Sequence, residues 1–290
     1  MHGYYPGCSL RETAKEYDIS TRLVCNGLGL ELREIEDWNC CGASPGHQSS
    51  DLVASALPYR NLALAQKQNL KDIVAPCAEC YSRLKAGQHE VGEDAKSAGL
   101  LAEIVELPYS NGSIEVKHII DLLRKDYGID EIAKKVKKPL KDLKAACYYG
   151  CLLVRPKEYA RVADPDNPQS MDAIVSACGA TPVEWSHKTE CCGASQILPN
   201  RNAALRLNHE ILTAAEQAGA EVLIVGCPLC KTNTEMYQKD INKRHGSRHN
   251  MPVLYITQIV GLALGFGYDE LGLNYHAVPA RELLAGKGFL

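Results

Sequence analysis

Apolar and polar positions alternate along the chain in a strand-then-helix rhythm. Asp72-Ile73-Val74-Ala75-Pro76 and Glu221-Val222-Leu223-Ile224-Val225-Gly226 are short, continuous apolar runs, the pattern of strands buried on both faces. Shorter β-rich runs precede them at His2–Cys8, 30–35, Ala145–Cys151 and 181–185. Helical periodicity falls at about 18–28, 51–68, 169–178 and 202–218, and Gly29 and Gly179 stand where a C-terminal cap belongs. Further strand-helix units are expected at 115–126 and 252–264. Such alternation predicts an α/β fold with parallel sheets and right-handed crossovers.

The rhythm occurs twice. Asn39-Cys40-Cys41-Gly42-Ala43-Ser44 returns as Glu190-Cys191-Cys192-Gly193-Ala194-Ser195, at an offset of 151. Cys77-Ala78-Glu79-Cys80 returns as Cys227-Pro228-Leu229-Cys230 at 150, and Tyr4-Tyr5-Pro6-Gly7-Cys8 as Tyr148-Tyr149-Gly150-Cys151 at 143. Trp38 and Trp185 precede the double cysteines, each after an acid. Internal repeats of this kind mark homologous units. The expected divisions are residues 1–130, a basic linker at 131–142 crowded with lysines around Pro139, a second unit at 143–270, and a tail at 271–290.

Composition changes the picture at one point only. A chain of 290 residues with 46% hydrophobic and 23% charged residues is an ordinary globular protein, and a net charge of -3 argues against nucleic-acid binding. The amino terminus lacks a basic and apolar leader pattern. The most apolar stretch, 253–268, is 16 residues long, short for a membrane span. A cytoplasmic protein without a membrane span is the expectation. The exception is 13 cysteines, which in such a compartment point to metal or redox chemistry rather than to disulfides.

The parallel-sheet expectation gives these cysteines a place. Cys8, Cys40, Cys41, Cys77 and Cys80 each follow a strand, as do Cys151, Cys191, Cys192, Cys227 and Cys230. Strand C-termini of a parallel sheet share one edge, where ligands bind. Each five can therefore converge. A zinc ion and a cubic iron–sulfur cluster take four ligands each, so five suit a more extended multi-iron cluster better. Zinc and a metal-free dithiol stay open on spacing alone. Each Cys-x-x-Cys at a helix N-terminus favours thiolate. Cys25 and Cys178 are expected as buried apolar side chains. Cys147 is the fallback should Cys151 not be the first ligand of its set.

The two cysteine patterns, each running through Cys-Cys-Gly to Cys-x-x-Cys, resemble the duplicated CCG domain that marks the cysteine-rich iron–sulfur protein of heterodisulfide reductase and its bacterial relatives. The resemblance covers nearly the whole chain. It implies two Rossmann-like halves related by pseudo-two-fold symmetry. It also implies two noncubane 4Fe–4S clusters, one held by each set of five cysteines, with a disulfide cleaved or formed between them. His47 and His187, near the two CCG segments, are the candidate proton donors. The chain lacks a ferredoxin cysteine run and a dinucleotide glycine motif. The implied partners are a ferredoxin-like subunit, a flavin-containing subunit, and a thiol or disulfide substrate. An electron-relay role in another dehydrogenase or quinone-linked complex, and the same site run in reverse in sulfur oxidation, are the alternatives.

Overall fold

The computed structural model describes residues 1–290 except 44, 45, 47, 48 and 161. Among the described residues, eight short strands form two four-stranded sheets. The first holds β1 (His2–Tyr4), β2 (Leu32–Glu34), β3 (Asp72–Ala75) and β4 (Glu115–His118) in the order β2-β1-β3-β4. The second holds β5 (Lys144–Tyr148), β6 (Thr181–Pro182), β7 (Val222–Val225) and β8 (Val253–Tyr255) in the order β6-β5-β7-β8. All pairings are parallel. The expected α/β class, with two sheets of the same order, is what the structure has.

The two apolar runs became the sheet centres for the reason their pattern implies. Every residue of β3 and β7 is buried, because helices cover both faces. Register follows at matching places: Gly3 pairs with Ile73, and Ala145 with Val222. The first strand is shorter than its apolar run. It stops at Tyr4, because Gly7 turns the chain through φ +68° and Cys8 opens the short helix Gly7–Arg11. Part of the lysine-rich segment is ordered as the helix Ile129–Lys135, and the tail packs down through Leu284 and Phe289.

Three contacts lock the halves together. The helix Lys15–Leu28 of the first packs on Ile256–Leu264 of the second, with Ser20 and Thr257 hydroxyls 2.7 Å apart. The Tyr17 and Tyr255 rings stack at 3.9 Å, 4° from parallel. Lys231 on Pro228–Glu235 bridges Glu16 of the first half at 2.9 Å and Glu235 of the second at 2.8 Å. His276 from the tail reaches Glu235 at 2.9 Å. These four groups are buried, so each charge depends on its partners. No described helix is long and apolar enough to cross a membrane.

Candidate metal centre

Each half delivers its first cysteine through a glycine that no other residue could replace. Gly7 (φ +68°) and Gly150 (φ +63°) immediately precede Cys8 and Cys151. A Cβ on Gly7 would lie 2.7 Å from the Cys80 sulfur, and one on Gly150 would lie 2.9 Å from the Cys230 sulfur. Left-handed backbone and lack of space both require glycine there. This close approach packs the backbone just before the first cysteine of each half against the last cysteine.

The CCG segments are held by hydrogen bonds from neighbouring elements. Tyr5 donates its hydroxyl to the Asn39 carbonyl at 2.7 Å, and Tyr148 donates to the Glu190 carbonyl at 2.7 Å. Asn39 and Glu190 are the residues just before the double cysteines. Asn61 donates to the Asn39 carbonyl at 3.0 Å; Asn208 and Asn233 donate to the Cys192 carbonyl at 2.8 and 2.9 Å. Gly42 and Gly193, both at positive φ, then turn each segment away. The cysteine pattern alone did not single out these tyrosines and asparagines. The repeat could have, because Tyr5 and Tyr148 share the 143-residue offset of Cys8 and Cys151.

Cys77 and Cys227 each cap a helix, Ala78–Glu93 and Pro228–Glu235. The helix N-terminus there favours anionic sulfur. His118, at the end of β4, sits between the two. Its Nε2 is 2.5 Å from the Pro76 carbonyl and 3.0 Å from the Gly226 carbonyl, the residues preceding Cys77 and Cys227. Its Nδ1 accepts from the Ile120 amide, so the proton is on Nε2 and is shared by both carbonyls. Burial pushes its pKa down and keeps the ring neutral.

The ten cysteines form two sets. In the first, Cys8 and Cys40 sulfurs are 3.9 Å apart and Cys41 and Cys80 are 3.5 Å apart, with Cys77 close enough to Cys80 to shift it. In the second, Cys151 and Cys191 are 3.9 Å apart, and Cys230 contacts both Cys192 and Cys227. The sets approach each other at Cys77 and Cys227, where each thiol shifts the other: Cys77 is pushed up and Cys227 down. Hydrogen bonds from Cys41 and Cys8 pull Cys40 down to about 2, while the bond to Cys40 helps push Cys41 up to about 12. Cys151 donates to Cys191 and holds it at about 6, helped by the Gly193 amide at 3.3 Å. Cys227 is lowered by Cys230 and Cys77. Protons are thus shared along a run of sulfurs, as expected where ligands crowd for a thiolate-bound group.

The other sequence candidates separate clearly. Cys147 lies in β5, fully buried, and burial pushes its thiol up, while Cys151 is the residue beside Cys191. Cys25 and Cys178 are buried apolar side chains, each pushed up to about 12 by burial. His187 hydrogen-bonds Ser186 through Nδ1 at 2.8 Å. It is not among the residues that line the cavity described next. His47 lies outside the described residues.

A cavity of about 470 Å³ opens beside the second set. Cys151, Cys191, Cys192, Cys227 and Cys230 line it, together with Glu79, Ser82 and Arg83 of the first half. Leu152, Pro156 and Leu229 make it mostly apolar. The donor chemistry fits an iron–sulfur group: each set is all sulfur, with a glycine where a side chain would collide.

Comparison with known proteins agrees with this geometry. The signature of the CCG cysteine-rich domain matches residues 2–85 and 145–234. The chain is 36% identical over 282 residues to the 8-methylmenaquinol:fumarate reductase membrane anchor subunit of Wolinella succinogenes, covering 97% of this chain and 98% of that protein. It is 31% identical over 288 residues to one subunit of the ferredoxin/F(420)H(2)-dependent CoB-CoM heterodisulfide reductase of Methanosarcina acetivorans, covering 97% and 95%. A crystal structure of a hypothetical protein from Helicobacter pylori superposes with a TM-score of 0.77 at 15% identity, over 95% of this chain. This chain spans about half of that one, 51%, and the likeness concerns the fold alone.

Proposed function

Because the chain belongs to the CCG cysteine-rich-domain family, which includes heterodisulfide reductase components, we propose that it is the iron–sulfur subunit of a heterodisulfide-reductase-like oxidoreductase complex. In this reading a disulfide is cleaved or formed between two noncubane 4Fe–4S clusters. Cys8, Cys40, Cys41, Cys77 and Cys80 would hold one cluster; Cys151, Cys191, Cys192, Cys227 and Cys230 would hold the other. The observation that carries the reading is the meeting of two five-thiol sets at Cys77 and Cys227, beside a cavity that one set lines. Bound there, such clusters supply one-electron transfer, and two of them match the two electrons a disulfide takes.

The protein's own residues supply the rest. Gly7 and Gly150 allow the closest approach of sulfur, and Tyr5 and Tyr148 hold the CCG segments in place. His118 fixes the bases of both Cys-x-x-Cys helices relative to each other. Leu152, Pro156 and Leu229 keep the cavity apolar, which strengthens charge interactions inside it. Electrons come from other members of the complex, one ferredoxin-like and one flavin-containing.

Anaerobic purification followed by iron and acid-labile sulfide analysis tests the reading. About eight irons and eight sulfides per chain are expected for two four-iron clusters, with a visible spectrum that added thiol or disulfide perturbs. A colourless protein with stoichiometric zinc would overturn it. A second reading, electron relay in a quinone-linked complex, is favoured by the identity to the Wolinella fumarate reductase protein. It expects the same iron content and a spectrum that thiols leave unchanged.

A further inference from the structure

Two buried phenols lie between the halves, and the proposed function uses neither. Tyr17, in the first half's helix Lys15–Leu28, and Tyr255, at the end of β8, are fully buried and stacked face to face at 3.9 Å. Neither hydroxyl has a hydrogen-bond partner among the described residues. Other buried tyrosines of the molecule differ. Tyr4 and Tyr149 donate to the carboxylates of Asp18 and Asp172, and Tyr5 and Tyr148 to the carbonyls of Asn39 and Glu190. A buried tyrosine hydroxyl usually finds such a partner, because leaving it unmade costs the desolvation of the group.

The repeat shows where this pair stands. Tyr255 is in register with Val225, and Cys227 follows Val225 by two residues. His118 is in register with Ala75 in the first sheet, and Cys77 follows Ala75 by two. The two residues are therefore equivalent. His118 spends its N–H on the Pro76 and Gly226 carbonyls. Tyr255 makes no such bond and presents a flat ring on which Tyr17 lies. Besides burial, the charges that act on the Tyr17 hydroxyl are those of Cys227 and Cys77, one from each set. All three raise its pKa, so the phenol keeps its proton and is a donor toward an anion. Iron-bound sulfur is an anionic acceptor, and hydrogen bonds to sulfur are among the features that set a cluster's reduction potential. A donor favours the more negative, reduced state.

We propose that Tyr17 donates its hydroxyl hydrogen to a sulfur of the iron–sulfur group bound where Cys77 and Cys227 approach each other, and thereby raises the reduction potential of that group. The inference rests on the iron–sulfur part of the reading above and adds a residue that tunes it. Tyr17 is a positioning residue: it ligates no iron, and it acts through a sulfur that does. Tyr255 fixes the ring by stacking on it.

The test uses the anaerobic, cluster-loaded chain. Reduction potentials are measured by redox titration followed by electron paramagnetic resonance, beside iron and sulfide content. Tyr17→Phe keeps the ring and its stack and removes only the hydroxyl. It is expected to retain the iron and to shift the one-electron reduction equilibrium of a cluster about tenfold toward the oxidised form, a fall of about 59 mV. An ortho-fluorinated tyrosine at position 17 is a more acidic phenol and a stronger donor, and is expected to move the same potential upward. It keeps the hydroxyl, so it decides the proposal even if Tyr17→Phe fails to fold. Full iron with unchanged potentials would overturn the donor while leaving the iron–sulfur reading intact. So would a fall in potential with the fluorinated residue. An unaltered protein that binds no iron would overturn both.

Discussion

The two halves share their sulfur geometry and differ in what surrounds it. Cys8 and Cys40 lie 3.9 Å apart, and so do Cys151 and Cys191. Gly7 and Gly150 press on the last cysteine of each set, and Tyr5 and Tyr148 hold equivalent carbonyls at 2.7 Å. Behind the last cysteine the halves diverge. Lys231, Glu235 and His276 form a buried polar network behind Cys230, reaching Glu16 of the first half. The corresponding position behind Cys80 is Tyr81, a buried aromatic ring edge-on to His118. The parts that fit sulfur are thus alike, and the parts that set the local field are not. A charged network and a tyrosine–histidine pair place different fields at otherwise matching sites.

The largest expected effect breaks the symmetry at the ligands themselves. Cys40→Ala and Cys191→Ala should each remove about half of the bound iron, since each loses one thiol of its own set. Iron and sulfide analysis of the two variants checks this. Retention of full iron in either would remove that cysteine from its set. Loss of all iron in either would show that the contact between Cys77 and Cys227 makes the sites assemble together.

A smaller effect is expected behind the cysteines, and only in the second half. Glu235→Gln leaves Lys231 with one buried carboxylate and should cost about 3–5 kcal/mol of stability. Lys85→Gln, at the matching place five residues after Cys80, should cost less than about 1 kcal/mol because Lys85 is only partly buried. Denaturant unfolding compares them. The pH dependence has a definite sign. Burial alone would raise the Glu235 pKa, but His276 and Lys231 outweigh it and hold it below its ordinary 4.5. Its stabilising contribution is therefore complete above about pH 4.5 and fades as the pH falls through the lowered value. Equal losses for the two variants would erase the proposed asymmetry.

The smallest effect tests the likeness. Tyr5→Phe and Tyr148→Phe each remove one hydrogen bond to a carbonyl beside a double cysteine. Each should cost about 1 kcal/mol, equally in both halves, and loosen the adjoining set as seen in its spectrum. A clear inequality between the two would show that the CCG segments are supported differently despite their matching distances.

Much of this was readable before the fold was known. Strand-helix alternation and the apolar runs at 72–76 and 221–226 indicated parallel sheets, because strands covered on both faces cannot alternate polar and apolar residues. The repeat paired the cysteines across the two halves. Other features were misread or unseen for identifiable reasons. The first strand was overrun because the turn at Gly7 depends on the Cys80 sulfur 73 positions away. The burial of Cys147 in β5 likewise came from neighbours the motif does not contain.

The sequence by itself determined that there are 13 cysteines, that ten fall into two matching sets, and that each set follows the strands of one sheet. These are local facts, set by spacing, turn glycines and hydrophobic period. Only the tertiary structure decided that the two sets approach each other at Cys77 and Cys227, that His118 spans the carbonyls before both, and that residues of the first half line the cavity beside the second set. The contacts between halves join residues far apart in the chain, 108 positions at His118 and Gly226 and 237 at Ser20 and Thr257. They arise from packing one sheet and its helices against the other, which no pattern within either repeat encodes.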